Sequence, residues 1–370
     1  MPLRNRRQSW RTFGNDLLRT KREAEVIFRE TKLLTASEAD IDIAAELIRQ
    51  GEVVGMPTET VYGLGADAEN AEAVKKIFEA KGRPADNPLI VHIADISELE
   101  KYVRRVPPIA YRLAKRFCPG PLTMVLPKRD IIPDITSAGL DTVGIRIPCH
   151  KAAQALIRTS GRAIAAPSAN LSGSPSPTTA AHVMNDMNGR IPAVIDGGSC
   201  PVGVESTVIT FENDVIRLLR PGFVSAEELS EFAKVICDRH ITEAALEGET
   251  VRSPGMKYKH YSPKANVTVV DGSNEEFLEY VNGKAGSDKV FALIFDSAAA
   301  ECRIPYIKYG DTAEEQAARL FAALREFDEM GAEQVYAQRP ETDGVGLAVY
   351  NRLLRAAGFE IVKIRKDEKL

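Results

Sequence analysis

The stretch KGRPADNPLIVHI, residues 81–93, joins a basic, proline-containing loop directly to an apolar segment. Gly82 follows the helical pattern AEAVKKIFEAK and can adopt the left-handed conformation in which many helices end. Pro84 and Pro88 restrict the loop, and PLIVHI is apolar apart from His92, which is typical of a buried strand. The stretch therefore predicts a helix, a stiff basic loop and a covered strand in immediate succession.

The same succession continues on both sides of this stretch. From Thr35 to about residue 240, helical patterns alternate with short strands, and several of these strands are apolar along most of their length. Such an alternation indicates an α/β fold with a largely covered sheet. Polar segments rich in glycine and serine fall where the strands end, and open α/β sheets bind their ligands at that edge.

The remaining chain predicts three further parts. The arginine-rich N-terminus lacks an apolar core segment, so it is not a secretory signal; a frayed extension, a misassigned start and a transit peptide stay open. After residue 240 the chain loses its periodicity and then resumes a shorter βα alternation at VTVVDG. We expect an N-terminal extension (1–34), a main domain (35–240), a linker (241–266) and a small α/β C-terminal domain (267–370).

Composition limits the functional classes. The chain has 370 residues, of which 44% are hydrophobic and 27% charged, as in a soluble globular protein of about two domains. Its net charge of −4 argues against a surface that coats nucleic acid, so phosphate or RNA would have to bind local clusters. The five cysteines form no CxxC pair and predict free thiols in a reducing compartment. No apolar run is long enough to cross a membrane, and we expect a cytoplasmic protein.

The basic loop has two interpretations. Arg83 can bind phosphate oxygens through two parallel hydrogen bonds and Lys81 can act as a point charge, so a preordered pair suits a polyphosphate. Alternatively, the two cations only complement the negative end of the preceding helix. The pair by itself does not decide between these interpretations.

Other polar segments also allow more than one interpretation. TETVYGLGADA (58–68) is predicted as a loop whose glycines match no standard nucleotide motif. PSANLSGSPSP (167–177) is either an anion-binding loop or a plain surface loop. Arg146, within apolar GIRIP, needs an anionic partner, which is either a ligand or a structural salt bridge. His92 is either a site residue or a hydrogen-bonded core histidine.

Taken in order, PTETVYGLGADA, KGRPADNPLIVHI, GIRIP, PSAN, ESTV and RPG resemble the motifs of the YrdC-type family of threonylcarbamoyl-AMP synthases. The resemblance spans about residues 36–240, and the linker and small domain resemble the long form of that enzyme. It implies an open, twisted α/β sheet with a concave cavity, followed by a smaller Rossmann-like α/β domain.

The resemblance also implies an activity. Enzymes of this family are nucleotidyltransferases that condense L-threonine, bicarbonate or carbon dioxide, and ATP to L-threonylcarbamoyladenylate, with release of pyrophosphate. ATP is then a substrate, and Mg²⁺ is expected to arrive with it, without dedicated metal ligands on the chain. A partner complex would transfer the threonylcarbamoyl group to an adenosine of tRNA.

The site residues are carried over from the same resemblance. The L-threonine pocket is expected to consist of Thr60, His92, Arg146, Ala166 and Ser206. The ATP contacts are expected from Lys81, Arg83, Asn87, Thr142, Ser168, Ser176, Arg220 and Tyr261. Lys81 and Arg83 would position the substrates, and no catalytic base is assigned.

The linker and two rival classes complete the expectations. KYKHYSPKA (257–265) is too basic and aromatic for a passive spacer, and it predicts a lid that sets Tyr261 against the nucleotide. A related carbamoyl-transferring maturation enzyme would carry paired CxxC zinc fingers, which this chain lacks. A non-catalytic RNA-binding module is the other alternative; the net charge counts against it, although weak RNA binding stays open.

Overall fold

The computed structural model describes residues 30–241, 243, 261–286 and 288–364. The predictions for residues 1–29 of the N-terminal extension and for most of the linker, including KYKH at 257–260, lie outside the described residues. Within the described part of the chain, no helix has the length and apolar character that crossing a membrane requires.

A large mixed sheet is built from the strands of residues 32–237. These strands are β1 (Lys32–Leu34), β2 (Val54–Met56), β3 (Gly63–Asp67), β4 (Ile90–His92), β5 (Leu122–Pro127), β6 (Thr142–Arg146), β7 (Ile164–Ala165), β8 (Ala193–Ile195), β9 (Thr207–Glu212), β10 (Val215–Arg220) and β11 (Lys234–Cys237). Their spatial order is β1-β8-β2-β3-β7-β4-β6-β5-β9-β10-β11. The first strand begins three residues before the predicted domain boundary at residue 35.

Helices alternate with these strands. They are α1 (Glu38–Arg49), α2 (Ala71–Lys81), α3 (Leu99–Tyr102), α4 (Pro108–Phe117), α5 (Asp134–Ser137), α6 (Lys151–Ser160), α7 (Ala180–Met187) and α8 (Ala226–Ser230), with 3₁₀ turns at Ile96–Glu98 and Arg239–Ile241. Helix α2 shows how the sequence sets the bounds: Asn70 caps its first turn, and Gly82 ends it with φ 62°.

Strand β3 lies inside the segment predicted as a loop, TETVYGLGADA, so that prediction is wrong for Gly63–Asp67. The glycines conceal the strand because they carry no side chains from which a period could be recognised. They are required by close packing: a Cβ on Gly65 would lie 2.8 Å from Ile164 Cγ2 of β7. The tight approach of β3 to β7 brings the polar turn before β3 close to the centre of the sheet.

The C-terminal residues form a second sheet, which is parallel throughout its described pairs. Its strands are β12 (Asn266–Asp271), β13 (Val290–Ile294), β14 (Tyr306–Lys308), β15 (Gln334–Gln338) and β16 (Ile361–Lys363), in the order β14-β13-β15-β12-β16. Its helices are α9 (Asn274–Asn282), α10 (Ala313–Glu329) and α11 (Gly346–Ala356), with a 3₁₀ turn at Ala299–Glu301. The two sheets confirm the predicted fold class, an α/β sheet followed by a smaller Rossmann-like α/β unit.

The two sheets share an apolar contact. Val61, Val202 and Val204 of the first part pack in the same buried cluster as Tyr261 and Phe321 of α10. The rings of Tyr261 and Phe321 are 5.1 Å apart between centroids. The C-terminal sheet is therefore packed against the edge of the first sheet at which the polar segments meet.

Candidate functional site

A cleft of about 760 Å³, including space open to solvent, lies where β4, β6 and β10 end and where β9 begins. Ten of the thirteen residues predicted for the site line this cleft, although they are spread over 200 positions of the chain. They are Thr60, Lys81, Arg83, His92, Arg146, Ala166, Ser168, Ser206, Arg220 and Tyr261.

Strand pairing places three of the cleft's groups and the hydroxyl of the neighbouring Thr123 side by side. His92 at the end of β4 is in register with Ile164 of β7 on one side and with Arg146 of β6 on the other. Arg146 is in turn in register with Thr123 of β5, whose hydroxyl lies 2.7 Å from Ser206 Oγ. One edge of the sheet therefore presents an imidazole, a guanidinium and two hydroxyls in a row.

Arg146 has a buried anionic partner, as predicted for an arginine within an apolar strand. Its Nη2 donates to Glu59 Oε1 over 2.6 Å, and Glu59 Oε2 accepts from the backbone of Cys149. Burial raises the pKa of Glu59, but Arg146 more than offsets this, so the carboxyl stays ionised. The structural salt bridge therefore exists, and Arg146 still lines the cleft, where its Nη1 makes no hydrogen bond to any described residue.

His92 is held as a neutral ring. Its Nδ1 lies 3.2 Å from the carbonyl oxygen of Ile164, and because a carbonyl only accepts, we assign the ring proton to Nδ1. Burial, followed by the nearby charge of Arg146, lowers the pKa of His92 to about 3. At neutral pH the remaining nitrogen, Nε2, can therefore only accept a hydrogen bond.

Lys81 does not cap its own helix, although it is the last residue of α2. Its ammonium donates to the backbone oxygens of Ser168 and Asn170 over 2.5 and 2.6 Å. Burial, followed by the charge of Arg83, lowers the pKa of Lys81 well below its ordinary value. Two cations repel each other at this corner of the cleft, and an anionic ligand would relieve that repulsion.

Arg83 and Asn87 hold the basic loop. Arg83 Nη2 donates to the backbone oxygen of Asn87 over 3.0 Å, and its guanidinium lies 5.8 Å from the ring of Phe78. Neither amide atom of the buried Asn87 side chain has a partner among the described residues. Asn87 does not line the cleft, whereas the next residue, Pro88, does.

Two more predicted residues lie beside the cleft. Thr142 lines a smaller adjoining cavity of about 270 Å³ that shares Pro88 with the main cleft. Ser176 is fully buried, and its hydroxyl donates to Glu205 Oε1 over 2.6 Å. Sequence proximity to a motif does not determine which way a side chain points, and these two side chains do not line the main cleft.

Sequence reasoning missed three residues of the site: Glu59, Asn170 and Glu205. All three stand within the quoted motifs TETV, PSAN and ESTV, so the motifs themselves were the available signal. Asn170 accepts from the Ser168 hydroxyl over 2.5 Å and donates to Leu171 and Ser174 of its own loop. It thereby fixes the loop that Lys81 holds.

The remaining wall of the cleft is formed by Glu205, Arg220 and Tyr261. Arg220 donates through Nε and Nη2 to the backbone oxygen of Ser206, and through Nη2 to its hydroxyl. The ring of Tyr261, whose backbone has a φ of 64°, also packs against Phe321 of the C-terminal unit. Within residues 30–241, 261–286 and 288–364, no three acidic, histidine or cysteine side chains are grouped so that they could hold a metal.

Comparison with known proteins gives the same family for both parts. A family model described as "Telomere recombination" matches residues 46–222, and one described as "Threonylcarbamoyl-AMP synthase, C-terminal domain" matches residues 224–358. The threonylcarbamoyl-AMP synthase of Pyrococcus abyssi is 48% identical over 334 residues, 88% of this chain and 96% of that protein. The Bacillus subtilis protein of that name is 48% identical over 339 residues, 90% of this chain and 97% of that protein.

A solved structure extends the likeness to three dimensions. The crystal structure of P. abyssi Sua5 complexed with L-threonine matches with a TM-score of 0.85 at 45% identity, covering 90% of this chain and 100% of that one. The resemblance found in the motifs is therefore confirmed along nearly the whole length of these relatives. The chain belongs to the threonylcarbamoyl-AMP synthase family, in the form that carries the additional C-terminal domain.

Proposed function

We propose that this protein condenses L-threonine, bicarbonate or carbon dioxide, and ATP into L-threonylcarbamoyladenylate, with release of pyrophosphate. The observation that carries the proposal is the set of charged groups gathered in one cleft. Arg146 lies beside the neutral His92, and Lys81, Arg83 and Arg220 line the same cleft. The first arrangement suits an amino acid and the second a polyphosphate, and the relatives named above support this pairing of substrates.

We assign L-threonine to the side of Arg146. Arg146 Nη1 is suited to the amino-acid carboxylate while Nη2 remains on Glu59. His92 Nε2 would accept a hydrogen bond from the ammonium or the hydroxyl of threonine. The hydroxyls of Thr60 and Ser206 and the backbone of Ala166 would complete the pocket, as the family resemblance implies.

We assign ATP to the side of Lys81. A triphosphate would place its negative charge beside Lys81, Arg83 and Arg220, and Ser168 and Tyr261 would border the nucleotide. Asn87, Thr142 and Ser176 lie beside the cleft and do not line it. We keep them as proposed contacts of ATP. A direct contact from Asn87 would require its loop to rearrange when the nucleotide binds.

The reaction needs little proton transfer from side chains. The amine of threonine attacks carbon dioxide and loses a proton, which gives a carbamate. A carbamate oxygen then attacks the α-phosphorus of ATP, and the bond to the β-phosphate breaks to release pyrophosphate. The cleft would accelerate this nucleotidyl transfer by aligning the two substrates and by stabilising negative charge on the phosphates.

Mg²⁺ would enter as part of the ATP substrate. Of the described residues that line the cleft, Glu205 supplies the carboxylate, and both its oxygens already accept hydrogen bonds. Mg²⁺ prefers a nearly complete shell of oxygen ligands, which phosphate oxygens and water can provide. The chain's own contribution would be to hold the phosphates.

We propose the rest of the biological setting from the same resemblance. The adenylate would pass in the cytoplasm to a partner complex that transfers the threonylcarbamoyl group to an adenosine of tRNA. Residues 35–240 would act as the catalytic domain, 241–266 as linker and lid, and 267–370 as the C-terminal domain.

The proposal is tested by incubating the purified protein with threonine, bicarbonate, ATP and Mg²⁺ and detecting the product by mass. We expect the carbamoyl adenylate, and pyrophosphate release that requires threonine and bicarbonate together. Equal pyrophosphate release in degassed, bicarbonate-free buffer would instead indicate an enzyme that activates the carboxylate of threonine.

A further inference from the structure

The segment PSANLSGSPSP, residues 167–177, which we call the serine loop, forms one border of the cleft. The residues of this segment are all described and form neither helix nor strand, so the shape of the loop depends on contacts with its surroundings. From the first sheet, Lys81 holds two of its backbone oxygens. Five of its residues line the cleft: Pro167, Ser168, Asn170, Ser172 and Gly173.

The C-terminal unit holds the same loop from behind. Arg325 Nη2 of α10 donates to the carbonyl oxygen of Pro175 over 2.6 Å. The backbone nitrogen of Ser262 donates to the carbonyl oxygen of Gly173 over 2.9 Å, and the hydroxyl of Ser262 is itself held by Ala356 of α11. The serine loop is therefore fixed between the first sheet and the C-terminal unit.

A nearly buried ion pair adds a third contact to the loop. Arg325 donates to both carboxylate oxygens of Asp186 in α7 over 3.0 and 2.7 Å, and each side chain is 11% exposed. Asp186 Oδ2 also accepts from the backbone nitrogen of Leu171 over 3.1 Å. Two hydrogen bonds to one guanidinium fix the plane of a carboxylate, so Arg325 sets the direction in which Asp186 meets the loop.

The pair is close to the cleft without being part of its lining. Neither Asp186 nor Arg325 lines the cleft. Burial, followed by the charge of Arg83, lowers the pKa of Lys81, while the charge of Asp186 raises it and that of Arg325 lowers it. The pair can therefore affect a ligand through the shape of the serine loop or through its charge, and these two routes differ in sign for Asp186.

Loss of Arg325 should leave the two units packed together. Arg352 of α11 is fully buried, and its Nε donates to Glu205 Oε2 over 2.9 Å. The apolar cluster of Val61, Val202 and Val204 with residues of the C-terminal unit is also independent of Arg325. A substitution of Arg325 should therefore act on the serine loop and not on the docking of the units.

We propose that Asp186 and Arg325 are positioning residues for nucleotide binding: the carboxylate that Arg325 orients fixes the serine loop in the shape that receives ATP. The inference rests on the proposed function for the identity of the ligand. A loop that is already fixed loses little conformational entropy on binding, whereas a loosened loop must be ordered by the ligand itself. Loss of either side chain should therefore weaken the binding of MgATP more than that of threonine.

The test compares wild type, Arg325→Met, Asp186→Leu and the double variant by calorimetric titration with MgATP. Each single variant should raise the Kd about tenfold or more. The double variant should be no weaker than the weaker single variant, because both side chains act through one contact. In turnover assays, the KM for ATP should rise while the KM for threonine changes by less than about threefold. Charge alone predicts the opposite for Asp186→Leu, since removing a carboxylate favours a bound anion.

Hydrogen exchange reports the loop directly. Without MgATP, the amides of residues 168–174 should exchange faster in Arg325→Met and Asp186→Leu than in wild type, while peptides of the C-terminal sheet keep their rates. Asp186→Asn retains an oxygen that can accept from Leu171, so its Kd should lie between those of wild type and Asp186→Leu. This variant and Arg325→Met carry the test if Asp186→Leu does not fold.

The control is Arg339→Met. Arg339 also belongs to the C-terminal unit, but its Nη1 donates to Asp271 within that unit over 3.2 Å. Its loss should leave the Kd for MgATP within about twofold. If Arg339→Met weakens MgATP binding as much as Arg325→Met, loss of any ion pair of this unit is sufficient and the positioning role is wrong.

The remaining outcomes separate this inference from the proposed function. A Kd that rises in Arg325→Met and falls in Asp186→Leu would show an effect of charge and overturn the positioning role. An unchanged Kd in both variants, in a protein that makes the adenylate, overturns that role and leaves the proposed function intact. Kd values that rise as expected, in a protein that makes no adenylate, overturn the function and keep the positioning role. Failure of the wild type to bind MgATP overturns both.

Discussion

A substitution of Arg83 distinguishes most directly between the two interpretations of the basic loop, a phosphate site and the end of a helix. It is partly exposed at the corner of the cleft that also holds the buried Lys81. Arg83→Ala should lower turnover by about a hundredfold or more, because removing one donor to developing negative charge has an effect of that size. Steady-state kinetics give the turnover, and circular dichroism checks the fold.

The control for Arg83 is Lys75→Ala, on the exposed side of the same helix α2. Lys75 is 3.9 Å from Glu79 in an exposed ion pair, and such pairs contribute little to stability. Lys75→Ala should therefore retain nearly normal turnover. Near-normal turnover in Arg83→Ala as well would mean that the basic loop only ends a helix.

His92 gives a pH-dependent prediction. Its pKa lies near 3 in the folded protein, below the ordinary value of 6.5, so the unfolded chain binds its proton more readily. The stabilising contribution is complete above pH 6.5 and is lost as the pH falls toward 3. Between pH 7 and pH 5, His92 should account for a loss of about 2 kcal/mol in the free energy of unfolding.

Urea unfolding at both pH values, in wild type and His92→Gln, measures this contribution. Glutamine does not titrate, so the variant should lose less stability than wild type between pH 7 and pH 5. Equal losses in the two proteins would show that the ring is not buried as a neutral group.

The threonine pocket predicts substrate choice. Serine lacks one methyl group, and a missing methyl in a fitted pocket lowers specificity by roughly ten- to two-hundredfold, or about 1–3 kcal/mol. The ratio of kcat/KM for threonine and serine measures this directly. Equal use of the two amino acids would mean that the pocket assigned to Thr60, His92 and Ser206 is misplaced.

At the scale of residues, the sequence showed that a buried side chain requires a partner more readily than it showed which residue that partner is. An arginine within GIRIP requires an anion, and that requirement is visible in the sequence alone. Its partner, Glu59, is 87 positions away, and only the pairing of β4, β6 and their neighbours brings the two together. Arg352, 147 positions from Glu205, had no such signal, because a single arginine in an amphipathic helix usually faces solvent.

At the scale of elements, the long and periodic segments were predictable and the short ones were not. Helix α2 begins and ends at its predicted bounds, because its caps and its apolar face are both indicated by the sequence. Strands β14 and β16 have three residues each, which is too few for a period. Strand β3 was hidden by its glycines.

The turn after β10 gives a prediction about an element. Gly222 follows Arg220 and Pro221, and a Cβ on it would lie 2.2 Å from the backbone nitrogen of Thr207. Gly222→Ala should therefore push β9 and β10 apart beside Ser206. We expect a loss of about 2–4 kcal/mol in the free energy of unfolding, together with reduced turnover.

Chemical denaturation of Gly222→Ala measures the loss, and Gly283→Ala is its control. Gly283 ends α9 without a left-handed backbone, and the nearest atoms to its added Cβ are at 3.4 Å. The control should be nearly neutral. A stable, active Gly222→Ala variant would show that β9 and β10 have room to shift.

At the scale of the whole molecule, the first sheet has a hydrophobic core of its own, whereas the cleft is completed by residues of the C-terminal unit. The apolar cluster around Tyr62, Ile77, Leu113 and Ile145 is built almost entirely from residues before 242. In contrast, Val61, Val202 and Val204 are covered by the C-terminal unit. From that side, Tyr261 completes the cleft wall and Arg352 holds Glu205. Folding and activity should therefore depend differently on the C-terminal unit.

A chain ended after residue 240 should fold and yet lose nearly all activity. Its main core is retained, while the cleft loses Tyr261 and the partner of Glu205, and three valines become exposed. We expect at least about a hundredfold lower adenylate formation, because the nucleotide is no longer held in alignment. Tyr261→Ala in the full chain should reproduce part of the loss, whereas Tyr306→Ala, on the exposed side of β14, should not. Circular dichroism verifies the fold of each protein, and mass spectrometry measures the adenylate in parallel reactions. A folded truncated chain that makes the adenylate at the full-length rate would show that the C-terminal unit serves another purpose.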